Sequence, residues 1–587
     1  AKQHAAKALE TRVLTGKFIL EVKLDGRIKQ VSVEDILDAS ERYDGALTRD
    51  PLEPEYRGGR IVGKLFLSGA RKTLHSFAHG ATTYFLERNK TLIEILTGKM
   101  HEAVEETLVL LRDLQEFYDF GDDLVWVQDG KMHPLDQHSL AQKLGSHVQY
   151  WSYNTARKQV FRDPPPELSK RLLSLGDQRG LKPLKAIITA PTLRLDGSVL
   201  DTPGYDLDTK LLYHPPANEP RHAIPMTPSL GQAKAALRRL TQPFDDFPFV
   251  DAVDRGVMLA ALLTATVRAN LPTAPGFGFD APVQGSGKTL IAKSIAALAG
   301  DANPDIYPHL SGRDDEETRK RLMSFFRTGA AAMVWDNVLG DFDSAALAAA
   351  LTSETFTDRV LGQSVSVTLP NKAMFLFTGN NLILKGDLVR RILVCRIDPK
   401  TDRPFARKFE VDPFIEVKTR RGELVAAGLT LLRGYLSGTC PAPEGRVASF
   451  EAWSDLIRNA VCWIASELAP GVYADPMRAI DRAMEHDPDL ERLIALLSAL
   501  KQRFQDQTFS SADVYQEVAS IPNRIPSGEA HQIWTALTAF GDQATKSATA
   551  IGKLMSYRKD RIAGGLVLRM TKDGHAKTNI WRVETAP

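Results

Sequence analysis

Apolar positions along the chain recur with two different periods, and the points where the period changes mark its elements. Phe18 to Lys23 and Ile61 to Leu67 alternate as strands do, and a helical pattern follows from Thr83 to Thr97. Ala103 to Phe117 has helical spacing and opens a mainly helical stretch, which ends before Asp163-Pro164-Pro165-Pro166 because consecutive prolines cannot continue a helix. Ala186 to Thr189 reads as a strand, with turns expected at Asp196-Gly197, Pro203-Gly204 and Pro215-Pro216. Three short apolar runs without polar interruption, Phe277 to Phe279, Gly329 to Trp335 and Ala373 to Thr378, have the character of strands buried on both faces. Leu490, Leu493, Ile494, Leu497 and Leu500 lie on one face of a further helix.

These breaks predict an α/β multidomain chain: a small α/β domain over 1–97, a helical region with its proline-rich linker over 98–180, a β-rich connector over 181–245, a central domain over 246–440, a helical region over 441–505 and a terminal domain over 506–587. The last runs helix, helix, then strand-like Leu566 to Met570 and Asn579 to Val583 around a turn, the order of a winged helix.

Composition narrows the class. A chain of 587 residues that is 43% hydrophobic and 25% charged is neither fibrous nor disordered. Its formal charge of +2 excludes a general polycation and leaves room for a local basic patch. Cys395, Cys440 and Cys462 are too scattered for a disulfide framework or a cysteine zinc site, so the expected compartment is a reducing cytoplasm. The longest apolar run, Val257 to Val267, falls short of the ~20 residues of a bilayer span, and no membrane partner is expected. Ala1-Lys2-Gln3-His4 has neither a signal peptide's apolar stretch nor an initiator Met, so the chain reads as part of a longer protein.

The chemistry is concentrated at Ala281-Pro282-Val283-Gln284-Gly285-Ser286-Gly287-Lys288-Thr289, which sits between an apolar strand and the amphipathic stretch Leu290 to Leu298. Small residues let successive backbone N–H groups turn towards a polyphosphate, and the helix that follows adds its positive end. The ATP-binding candidates are therefore Gln284, Gly285, Ser286, Gly287, Lys288, Thr289 and Leu290, with Lys288 on the β and γ phosphates and Thr289 on Mg2+. Pro282 stands where the general pattern has its first Gly; the GSGKT part is intact.

Downstream residues refine the class. The second apolar run closes in Asp336-Asn337, a carboxylate placed for Mg2+ in the Walker B manner. The third ends in Gly379-Asn380-Asn381, where the amide of Asn380 suits a sensor of the γ phosphate or of the attacking water. Arg390 and Arg391 follow closely, two candidates for an arginine finger acting on a neighbouring subunit's nucleotide. Guanine recognition through N-K-x-D fails, since Asn371-Lys372-Ala373 is followed by Met374, which leaves adenine nucleotide as the expectation.

Together APVQGSGKT, AMVWDNV (Ala332 to Val338), LTSETFTDRVLG (Leu351 to Gly362) and FTGNNLILKGDLVRRILVCRID (Phe377 to Asp398) resemble the superfamily 3-type AAA+ helicase domain of phage, plasmid and mobile-element primase-helicases. Looser echoes lie at Leu74 to Gly80 and Ala190 to Asp206. The resemblance implies a homo-oligomeric, hexameric ring that hydrolyses ATP and moves on single-stranded or forked DNA, with Lys288, Asp336, Asn337, Asn380 and Arg391 as catalytic residues. Asn337 occupies the place of the catalytic Glu in many AAA+ proteins, which leaves the general base open, with Asp336 serving through its metal and water.

The same resemblance makes Arg359 to Pro370 a channel hairpin, with Arg359, Gln363, Ser364 and Lys372 as DNA contacts; a plain surface hairpin remains the alternative. From Thr545 to Pro587 there are nine Lys and Arg against three Asp and Glu, which makes Lys553, Arg558 and Lys559 further DNA candidates or, alternatively, a solvated face. His75 and His79 lack the Glu of H-E-x-x-H, and no zinc is assigned to them. Two functions stand: a DNA helicase, and an ATPase that uses nucleotide as an assembly switch without unwinding.

Overall fold

The computed structural model describes residues 11–586 except 25, 70, 89, 217–218, 310–314, 360–365, 402, 405–410, 439–440, 486–487, 520–528 and 573–578. The chain forms two compact units, Ala1–Pro183 and Leu184–Pro587. Among the described residues no helix is long and apolar enough to cross a membrane.

In the first unit a seven-stranded sheet buries Leu20, Val22, Leu65, Leu74 and Leu86 beneath the short helix Val33–Asp38. Ser32 starts that helix by accepting a 3.1 Å hydrogen bond from the Asp35 backbone. A second core, with Leu108, Leu111, Leu144, Tyr150 and Leu172, joins three helices to two small sheets. Here the structure departs from the helical expectation. Thr83 to Thr97 contains the strands Thr82–Glu87 and Thr91–Glu94, and Phe117–Phe120, Asp123–Gln128 and Lys131–Pro134 form a meander. Aromatic and β-branched residues favour the pleated surface. Asp129 and Gly130, at φ 50° and 69°, close a two-residue turn between Gln128 and Lys131.

The second unit is built on a parallel sheet of β1 (Gly276–Ala281), β2 (Ile306–Pro308), β3 (Ala332–Val338), β4 (Met374–Asn380) and β5 (Ile392–Arg396), in the spatial order β2-β3-β4-β1-β5. One strand, β4, therefore separates the strand before the glycine-rich loop from the strand that carries Asp336. Both faces are covered, so β1 is buried at all six positions and Trp335 of β3 stacks on Phe377 of β4 at 6.1 Å. Helix α1 (Ala252–Val267) is apolar all round and buried from Gly256 to Val267, which explains its long apolar run. Helix α2 (Lys288–Ala299) follows the loop after β1 and packs on β1, β3 and β4.

Before this sheet, short strands at Ala186–Ile188, Thr192–Leu193, Val199–Leu200, Gly204–Tyr205 and Leu211–Tyr213 make up the connector. At the other end, helices Pro488–Phe504, Ser511–Ala519, Glu529–Thr538 and Ala548–Arg558 pack on a four-stranded antiparallel sheet that includes Leu566–Lys572 and Asn579–Thr585. Leu493, Leu497 and Leu500 share this core with Ile533, Ile551, Leu568 and Trp581, so the helix of the periodic leucines belongs with the terminal elements.

Candidate nucleotide site

In an open parallel sheet the ligand crevice lies beyond the carboxyl ends of the strands. Three adjacent ends meet here. Ala281 is in register with Asn380, and the pairing of β3 with β4 shifts between Trp335 and Val338, a bulge that contains Asp336 and Asn337. Asn337 sits at φ 56°, exposed, with its backbone N–H donated to Thr378 Oγ1 at 3.0 Å.

The loop after β1 leads straight into α2. Gly285 and Gly287 have φ of 73° and 93°, and a Cβ on Gly287 would come within 2.7 Å of the Phe247 ring. Any larger residue there meets both the backbone penalty and the ring. Gln284 and Gly285 face solvent, Ser286 is buried and donates a 2.6 Å hydrogen bond to the Val283 carbonyl, and Leu290 is half-buried in the first turn of α2. Lys288 is 8% exposed, and its Nζ donates to Asn380 Oδ1 at 2.7 Å and to the Val283 carbonyl at 3.1 Å. Burial pushes its pKa down, opposed by the charges of Asp280 and Asp336.

On the other side Thr289 Oγ1 and Thr378 Oγ1 each donate to Asp336 Oδ1, both at 2.7 Å. No cluster of three or more His, Cys, Asp or Glu suited to a metal occurs among the described residues. One carboxylate with one hydroxyl is the donor set of Mg2+, which keeps several waters and takes its other ligands from phosphate. The residues thus fit an ion brought with a nucleotide.

Arg390 and Arg391 differ sharply. Arg391 has a side chain 14% exposed, donates to the Ala348 carbonyl and pairs with Asp387 at 2.9 Å; Arg390 is 56% exposed and pairs with the other oxygen of Asp387 at 2.8 Å. The two share one carboxylate, and Arg390 is the one turned outwards.

The hairpin found here starts four residues before the expected Arg359, with strands Thr355–Arg359 and Ser366–Pro370 in register from Thr355↔Pro370 to Arg359↔Ser366. Arg319 holds it by a two-pronged pair with Asp358 at 2.6 and 2.9 Å. Arg359 is exposed at its outer end, whereas Gln363 and Ser364 lie outside the described residues. Lys372 is turned inwards rather than towards a DNA channel: its side chain is 7% exposed and donates to the Leu271 carbonyl at 2.9 Å. Burial, with Arg268 and Lys185 nearby, lowers its pKa to about 7. Lys553 and Lys559 are exposed, while Arg558 lies over the Phe540 ring at 4.0 Å. His75 bonds Thr83 at 2.8 Å and His79 bonds Glu53 at 2.7 Å.

Thr378 and Phe247 also line the site, and neither is among the residues expected from the sequence. Thr378 stands two before Asn380 and so shares its face of β4, a signal that strand parity contains. Phe247 carries no such mark, because only the fold brings it against Gly287.

No known family profile matches the chain, and no curated protein matches it. Among solved structures, an apo form of the NrS-1 C-terminal region aligns over 82% of this chain and 98% of that one, at 13% identity and a TM-score of 0.33. The JCV helicase aligns over 44% of this chain and 66% of its own, at 14% identity and a TM-score of 0.20. An inhibitor-bound JCV helicase aligns over 40% and 60%, at 16% identity and a TM-score of 0.18.

Proposed function

We propose that the second unit contains an AAA+-type ATPase of the superfamily 3 kind, and that the protein is an ATP-driven DNA helicase of a phage or mobile-element replication system. The observation that carries this reading is the meeting of Lys288, Asp336 and Asn380 at the ends of β1, β3 and β4, with β4 inserted between the other two. Lys288 is placed to neutralise the β and γ phosphates, while Thr289 and Asp336 would hold the Mg2+ that ATP brings. Asn380, already bonded to Lys288, is placed to orient the water that attacks the γ phosphate, and Asp336 would hold the Mg2+ that supplies charge stabilisation there.

The reading extends to a homo-oligomer, a hexameric ring in which Arg390 or Arg391 reaches the next subunit's nucleotide across a heterologous interface. Arg359 on the hairpin, and Lys553, Arg558 and Lys559 on a terminal winged helix, contact DNA. Strand displacement on a forked duplex with ATP tests the motor. Displacement that requires hydrolysis supports it; ATP-dependent assembly with no displacement on a fork of either polarity makes the site an assembly switch.

A further inference from the structure

The first unit projects a hairpin of strands Val148–Tyr153 and Gln159–Arg162, paired in register Trp151↔Phe161 and Tyr153↔Gln159. Alternation along the strands puts Trp151, Tyr153 and Phe161 on one face. Tyr150, on the opposite face, is the buried anchor, and its hydroxyl lies 3.0 Å from Thr107 Oγ1. The Trp151 and Tyr153 rings meet edge-on at 5.2 Å, while Tyr153 and Phe161 remain 58% and 60% exposed.

The tip is stiff. Asn154 Oδ1 accepts from the Ala156 and Lys158 backbones at 3.0 and 2.9 Å, Asn154 N–H donates to the Lys158 carbonyl at 2.9 Å, and Arg157 takes φ 56°. This holds Arg157 and Lys158 in solvent beyond the rings. From Gln137 to Arg162 the sequence has four Lys or Arg and no Asp or Glu. Lys143 is engaged over the Trp126 ring at 3.0 Å, and Arg162 Nε donates to Ser152 Oγ at 2.6 Å. Arg157, Lys158 and Arg162 have no carboxylate partner among the described residues. The carboxylate in register with Trp151 is Glu94, on the strand away from Phe161.

We propose that this hairpin is a binding platform for single-stranded nucleic acid. Exposed rings offer flat apolar faces, and the flanking cations Arg157 and Lys158, exposed at the tip, attract an anionic partner. Unpaired bases on a phosphate backbone satisfy both needs. A duplex satisfies only the second, since its bases are already stacked. The inference is independent of the nucleotide site.

The test is anisotropy of a labelled oligo-dT of about 16 nucleotides with the full chain and no ATP, against a duplex of equal length. Tyr153→Ala with Phe161→Ala weakens oligo-dT binding about tenfold or more and leaves duplex binding within about twofold. Tyr153→Phe with Phe161→Tyr restores the affinity, and ATP turnover without DNA is unchanged throughout. Arg157→Ala with Lys158→Ala instead lowers the slope of log affinity against log salt by about 1.4. Wild-type oligo-dT affinity in the aromatic pair overturns the proposal, as do equal losses for oligo-dT and duplex. A changed oligomeric mass with unchanged oligo-dT affinity also overturns it and makes the face a subunit contact.

Discussion

Lys288 and Asn380, 92 positions apart, are joined by a 2.7 Å hydrogen bond from the ammonium to Oδ1. The bond ties the first turn of α2 to the end of β4 and aims both groups into one crevice. Asn380→Ala should therefore leave ATP affinity within about threefold while turnover falls about a hundredfold, a split that nucleotide titration and single-turnover rates resolve. A parallel loss of affinity would make Asn380 a ligand of the ground state only.

The sequence revealed the loop, Asp336 and Asn380 because each closes an apolar run, and buried parallel strands write themselves as such runs. Their order in space was not legible: the insertion of β4 between β1 and β3 is a matter of crossovers, which no local pattern records. In the first unit the strands around Trp126 were hidden by their charged neighbours and by a period read as helical, although Asp129-Gly130 carried the turn signal. Arg391, expected as a finger candidate, and Lys372, expected as a DNA contact, are both mostly covered, because a long side chain's direction depends on which carbonyls the fold leaves for it.

Lys372 gives a prediction in pH. Its folded pKa of about 7 lies below the ~10.4 of free lysine, so the buried charge is a penalty that is full below pH 7 and fades as pH rises between these values. Lys372→Met should raise the Tm most at about pH 6, with the gain shrinking towards about pH 10. Thermal unfolding across that range checks it, and parallel curves would mean that Lys372 does not titrate there.

The paired arginines should separate stability from turnover. Arg391→Ala removes one of two donors to the Ala348 carbonyl, which keeps Thr352 Oγ1 at 3.2 Å, and should cost about 0.5–1.5 kcal/mol, seen as a lower Tm. Arg390→Ala should leave Tm unchanged and, if it is the finger, reduce turnover on the order of a thousandfold with ATP still bound. Mixing Arg390→Ala with Lys288→Ala subunits should then restore part of the activity. Normal turnover in Arg390→Ala would assign the role to Arg391, and mixtures of either arginine variant that co-assemble without recovery would count against action between subunits.

Lys553→Ala, Arg558→Ala and Lys559→Ala together should weaken duplex DNA binding and reduce the salt slope by about 3, with ATPase in the absence of DNA unchanged. Arg558 contributes through its position over Phe540 as well as its charge, so Arg558→Lys alone should recover only part of the affinity. A slope equal to the wild type's would return the patch to a solvated face.

The crevice at the ends of β1, β3 and β4 is expected to hydrolyse ATP. Steady-state phosphate release with Mg2+ and ATP, measured side by side for the wild type, Lys288→Ala and Asp336→Ala, tests it most directly. The expected result is turnover in the wild type alone, with ATP binding weakened in Lys288→Ala and largely kept in Asp336→Ala. Equal phosphate release by all three proteins would contradict it.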